Sequence, residues 1–159
     1  MSARKLLALW GMVTTGLAFF LAPSLCGNPE EPWTLTQTVQ AGDLAKELQQ
    51  EKDPYPTVIY VGVKTLYEGA HIPGAVFSGP GSTEQGLSEL KKFTATLPRN
   101  SDVVLYCGCC PLAKCPNLRP AYTALKNSGF ARLRVLILPT SFNTDWVEKG
   151  FPVHKGDKP

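Results

Sequence analysis

The chain has 159 residues, with 16 basic and 13 acidic side chains and a formal charge of +3. That length suits one ordinary domain. Two of the basic residues, Arg4 and Lys5, belong to an N-terminal segment, and the near-neutral remainder has no Lys/Arg block to attract nucleic acid or an anionic membrane surface.

The chain opens Met-Ser-Ala-Arg-Lys, continues in a charge-free apolar run over 6–22, and then reads Pro-Ser-Leu-Cys-Gly. This is the three-part pattern of an export signal, with small residues Ala22 and Ser24 at the spacing a signal peptidase needs. Residues 1–24 are therefore expected to be a signal peptide, or an N-terminal membrane anchor, since 17 apolar residues lie at the short edge of what spans a bilayer. Lipidation at Cys26 is disfavoured by the bulky Leu25 before it. An exported location follows, periplasmic or extracytoplasmic, with membrane association only if the segment stays uncleaved. Residues 25–32 read as a linker, 33–155 as the folded domain and 156–159 as a tail.

Within the domain, the runs at 57–61, 102–106 and 133–138 are β-branched and apolar enough to be strands buried on both faces of a parallel sheet. Between them, helical spacing appears over 43–50, 87–97, 118–127 and 143–149, with Gly129 as a stop for the third. Alternating strands and helices predict an open α/β sheet with its ligand site at the carboxyl ends of the strands.

The strand at 102–106 runs directly into Cys107-Gly-Cys-Cys-Pro-Leu-Ala-Lys-Cys-Pro-Asn-Leu-Arg-Pro and then a helix. Four of the five cysteines, Cys107, Cys109, Cys110 and Cys115, fall within nine residues, so they form a site or a local clip. A thiol at this junction meets the N-terminal dipole of the helix, with Asn117 as the expected N-cap and Pro120 in the first turn. Free N–H groups there favour thiolate over thiol and can cradle a persulfide or an oxyanion.

His71-Ile-Pro-Gly-Ala75, the strand ending at Cys107, Gly129-Phe130 and the stretch from Trp146 to Val153 occur in the order found in rhodaneses, and the chain resembles that family over roughly 33–153. The resemblance implies a rhodanese-like, mainly parallel sheet with helices on both faces. It also implies a sulfurtransferase, expected to act as a monomer without a cofactor. Cys107 would take a sulfane sulfur from a small sulfur-containing anion or a thiol/persulfide carrier, hold it as a persulfide and pass it on. Gly108, Lys114 and Arg119 are the expected substrate-binding residues. The family's Asp and Arg before the His-Ile-Pro-Gly turn are replaced by Tyr60 and Gly62, and the loop after Cys107 is about five residues longer than usual. Phosphatases sharing the fold need an Arg six residues after the nucleophile; Ala113, Cys115, Pro116 and Ala121 stand there instead, which excludes that chemistry.

The remaining thiols leave alternatives open. Cys109, Cys110 and Cys115 could resolve a persulfide or form a disulfide, most simply Cys115 with Cys109 or Cys110. Cys107, Cys109, Cys110 and Cys115 could instead gather around a soft metal ion, in a non-enzymatic module. His71 is expected to serve the turn rather than act as a base.

Overall fold

Residues 31–50 and 53–157 are described by the computed structural model, so the expected export segment lies outside the described residues. Among the described residues no helix is long and apolar enough to cross a membrane. The compact unit that contains the strands begins at Glu31, two residues before Trp33.

Among the described residues five strands form one sheet: β1 (Thr38–Gln40), β2 (Thr57–Tyr60), β3 (Val76–Phe77), β4 (Asp102–Tyr106) and β5 (Arg132–Ile137). Their spatial order is β1-β5-β4-β2-β3, and every pairing is parallel. β4 lies at the centre and is buried from Val103 to Tyr106, which accounts for its unbroken apolar run. Alternate residues serve the two faces. Ile59, Val103, Leu105, Leu133 and Val135 pack with Leu90, Leu118, Tyr122 and Leu125, whereas Val58, Tyr60, Val104, Tyr106 and Leu136 pack with Leu44, Tyr67 and Trp146. The first set is covered by α3 (Glu84–Thr94) and α4 (Leu118–Asn127), the second by α1 (Ala41–Gln49) and α2 (Lys64–Gly69). The expected α/β architecture, with helices on both faces, is the one found.

Helix boundaries depart from hydrophobic spacing where caps decide them. α3 starts three residues before the predicted 87 because the Thr83 hydroxyl accepts the Gly86 N–H at 3.0 Å. Gly86 is required there, since a Cβ would meet the Pro80 carbonyl oxygen at 2.1 Å. The expected last helix is a π-helical turn, Asn143–Val147, whose entry is fixed by Asp145 accepting from Thr140 and Ser141 N–H. Trp146 is fully buried in it and donates to the Pro152 carbonyl at 2.8 Å. His71 is also buried; its Nδ1 lies 2.8 Å from the Tyr67 carbonyl and its backbone bridges His154, a turn role.

Candidate active site

β4 delivers Cys107 to the carboxyl edge of the sheet with only 1% of its surface exposed. Gly108 then turns the chain at φ +81°, and its carbonyl accepts the Phe142 N–H at 3.0 Å. A Cβ at this position would lie 2.5 Å from Phe142 Cβ, so both backbone and space demand glycine. The chain next projects outward, leaving Cys109 exposed and Cys110 half-buried. A short 3-10 turn, Leu112–Lys114, brings it back, with the Leu112 N–H donating to the Leu138 carbonyl at 3.1 Å. Cys115 re-enters the core as deeply as Cys107. The additional loop residues thus form an excursion whose two buried ends are cysteines.

The sulfurs of Cys107, Cys109 and Cys115 all lie within 4.8 Å of one another. Cys107 Sγ is 3.2 Å from Cys109 Sγ, which is 3.3 Å from Cys110 Sγ. All four are free thiols in this structure.

The helix N-terminus serves Cys115 rather than Cys107. The Cys115 thiol falls from 9.0 to about 6, first because the Cys107 S–H donates to it and then because the backbone N–H groups of Asn117 and Leu118 point at its sulfur. Cys107 is driven the other way by the same interaction and by burial, only partly offset by the Cys109 N–H and the Asn117 amide. Asn117 Nδ2 donates to Cys107 Sγ at 3.3 Å while its Oδ1 accepts the Ser82 N–H at 3.1 Å. That side chain makes no cap bond to α4, contrary to expectation, because the sulfur and the loop before α3 engage both of its ends. Cys110 is pushed up to about 12 by burial and by its contact with Cys109. Within the Cys107–Cys115 pair the N–H groups at the start of α4 favour the anion on Cys115, while burial disfavours it on Cys107.

Tyr60 was not among the expected substrate-binding residues, although its place in the family's acid position marked it. It is 2% exposed, and its hydroxyl is buried without a hydrogen-bond partner among the described residues. A methyl group on Gly62 would lie 2.5 Å from Tyr60 Oη and 3.0 Å from Cys107 Sγ, so the phenol fills the space a side chain at 62 would need. Burial first, and then the neighbouring cysteines, push this phenol well above its ordinary range. It is a permanent donor beside the sulfurs.

Tyr60, Cys107, Gly108 and Cys109 share a pocket of about 400 Å³ with Leu66, Ala70, Ser141, Phe142 and Val147. Among the described residues no lysine or arginine lines it. Lys114 is exposed on the 3-10 turn, outside the lining. Arg119 donates to the carbonyls of Cys115 and Ala113 and pairs with Glu31, so it clamps the loop from behind. The structure therefore brings Gly108 into the pocket and leaves Lys114 and Arg119 out of it. A larger cavity, about 510 Å³, lies at the amino ends of the strands among Glu47, Asp102, Arg132 and Arg134. These four side chains are paired with one another, and no cysteine or histidine among the described residues lines the cavity.

No protein-family model matches the sequence, and no curated protein matches it. Solved structures do match. The BH2092 protein from Bacillus halodurans superposes with a TM-score of 0.60 at 21% identity, over 77% of this chain and 80% of that one. A rhodanese-like domain of the Alr3790 protein from Anabaena sp. gives 0.55 at 20% identity, over 76% and 80%. SseA from Escherichia coli, described as a 3-mercaptopyruvate sulfotransferase, gives 0.53 at 19% identity, over 77% of this chain and 52% of that one. The all-parallel sheet with a cysteine at the end of its central strand is a rhodanese-like fold. Neighbours with that fold include sulfurtransferases, among them a thiosulfate sulfurtransferase from Pseudomonas aeruginosa.

Proposed function

We propose that this protein is an exported sulfurtransferase in which Cys107 carries a sulfane sulfur as a persulfide and the neighbouring thiols serve and receive it. The reading rests on one arrangement: a strand-end thiol at the floor of a pocket, paired with a second cysteine that holds the negative charge. Cys107 passes its proton to Cys115 as its sulfur attacks the outer sulfur of the donor. A bond forms between Cys107 Sγ and that sulfur, the donor's own S–S bond breaks, and the electron pair leaves with the donor thiolate. The Cys109 N–H and Asn117 Nδ2, which already face Cys107, and the Tyr60 hydroxyl are the donors available to the persulfide. An acceptor thiolate then attacks the outer sulfur and returns Cys107 to its starting state. Cys109, 3.2 Å away, is placed for that step.

The lining selects the donor class. A pocket with no cation among the described residues and with the Cys115 sulfur behind its Cys107 wall disfavours a dianion such as thiosulfate, and its Leu66, Ala70, Phe142 and Val147 surfaces suit a low-charge persulfide or polysulfide. The signal-like pattern of residues 1–24 supports a site for this chemistry outside the cytoplasm.

Intact mass after incubation of fully reduced, metal-free full chain with a small-molecule persulfide tests the proposal. The expected result is one added sulfur atom, absent in Cys107→Ser, with thiosulfate loading slower by about 10-fold or more. No added sulfur from either donor overturns the transferase reading, and faster loading from thiosulfate overturns the donor class.

A further inference from the structure

We propose that the sulfurs of Cys107, Cys109 and Cys115 form a three-thiolate site for monovalent copper, entered from the pocket past the exposed Cys109. This goes beyond sulfur transfer and does not depend on it. Metal–sulfur bonds of about 2.3 Å at a three-coordinate centre set the sulfurs about 4 Å apart. Three sulfurs mutually within 4.8 Å, two of them 3.2 Å apart, need only small adjustments to reach that spacing. Two of the three are held by rigid elements, Cys107 at the end of β4 and Cys115 against the first turn of α4. The exposed Cys109 supplies the adjustable arm.

The donor set selects the ion. Thiolates favour soft cations, and among the described residues the cluster contains no histidine, aspartate or glutamate. Cys110 approaches both Cys109 and Cys115 but lies outside the group whose sulfurs are all mutually close, so among the described residues three sulfurs rather than the four of a structural zinc site are gathered. Three sulfurs and no fourth ligand match the low coordination number of the cuprous ion. Three thiolates around one such ion leave a net charge of minus two, and the surrounding donors are those such a charge requires. The Asn117 and Leu118 N–H groups face Cys115, while the Cys109 N–H and Asn117 Nδ2 face Cys107. A second, independent observation is the Tyr60 hydroxyl, buried beside Cys107 with no partner among the described residues and thus available to a charged sulfur. Binding releases the thiol protons to solvent and leaves copper in the cuprous state, so no oxidant or reductant is consumed.

The test is anaerobic titration of the fully reduced full chain with Cu(I) in competition with a coloured Cu(I) chelator. The expected result is one copper retained per chain, with new sulfur-to-copper absorption in the near ultraviolet. Loss of groups that merely orient ligands costs about 10–100-fold in affinity, so Cys109→Ser and Cys115→Ser should each weaken binding by about 100-fold or more. Cys110→Ser should change it by about 3-fold at most. Circular dichroism checks that each variant folds, and alkylation of the exposed Cys109 in the folded wild type gives the same answer without a mutation. Failure to retain copper against the chelator overturns the site, as does equal loss in Cys110→Ser, or stoichiometric displacement of copper by zinc. Sulfur loading is measured on metal-free protein, so either proposal can fail while the other stands.

Discussion

Replacing Tyr60 with Phe separates function from stability, because among the described residues the hydroxyl has no partner of its own. The ring is held by edge-to-face packing on Tyr106 at 5.1 Å and by Tyr67 at 5.6 Å, contacts that phenylalanine keeps. A buried hydroxyl without a hydrogen bond costs about 1–3 kcal/mol, so Tyr60→Phe should stabilise the reduced, metal-free domain by about 1 kcal/mol, or about 4 °C in Tm. Sulfur loading should move the opposite way. One donor to a developing oxyanion is worth about 100-fold or more, and sulfur accepts more weakly, which leaves about 10-fold for a persulfide. Urea unfolding under reducing conditions gives the first quantity, and the rate of mass gain with a small-molecule persulfide gives the second. A destabilisation of about 1 kcal/mol or more would show that the hydroxyl is already satisfied. An unchanged loading rate would show that it does not reach the transferred sulfur. Either result refutes the role assigned here to Tyr60.

Two further outcomes follow from the same site. Asn117→Ala removes the amide from both Cys107 Sγ and the Ser82 N–H in a side chain only 4% exposed, so it should cost about 2 kcal/mol in urea unfolding and slow sulfur loading. Stability should also depend on pH in a defined window. The Cys115 thiol is lowered from 9.0 to about 6 in the fold, so between pH 6 and pH 9 the unfolded chain binds the extra proton and stability rises with pH. The raised Cys107 and Cys110 thiols reverse the slope above pH 9, where only the unfolded chain loses their protons. Urea midpoints at pH 5.5, 7 and 8.5 in reductant check the rising limb; a flat or falling profile there would show that Cys115 is not the charged member of the pair.

The parts of this fold that were legible in the sequence are those where one physical cause dominates. β4 and α4 were read with their observed bounds, 102–106 and 118–127, because a central strand is apolar on both faces and α4 carries a clear apolar stripe. β1 and β3 were missed, since three and two residues cannot display a period. α2 escaped for a related reason: six residues with one buried side chain, Tyr67, make no stripe. The position of Cys107 was legible because strand and cysteine are adjacent in sequence. Tyr60 and Asn117 were named but given other places, one as a departure from the family's acid and the other as a helix cap. Their convergence on one sulfur depends on tertiary packing across 57 residues of chain, from Tyr60 to Asn117.

The extended loop changes what a cysteine at this junction can do. When a short loop follows a strand-end cysteine, one residue must be both nucleophile and thiolate. Here the excursion carries the chain out through Cys109 and Cys110 and returns it at Cys115, two residues before Asn117, where the first free N–H groups of α4 lie. The start of α4 therefore favours charge on Cys115, while Cys107 is held towards its thiol form and keeps its access to the pocket. Such a division makes Cys107 a poor nucleophile until its proton moves, and it supplies the neighbouring sulfur that takes it. The same closeness makes a soft cation a direct competitor of the transferred sulfur for these thiols. Copper bound at the three sulfurs would have to block persulfide formation completely, since the sulfur that would attack is itself a ligand.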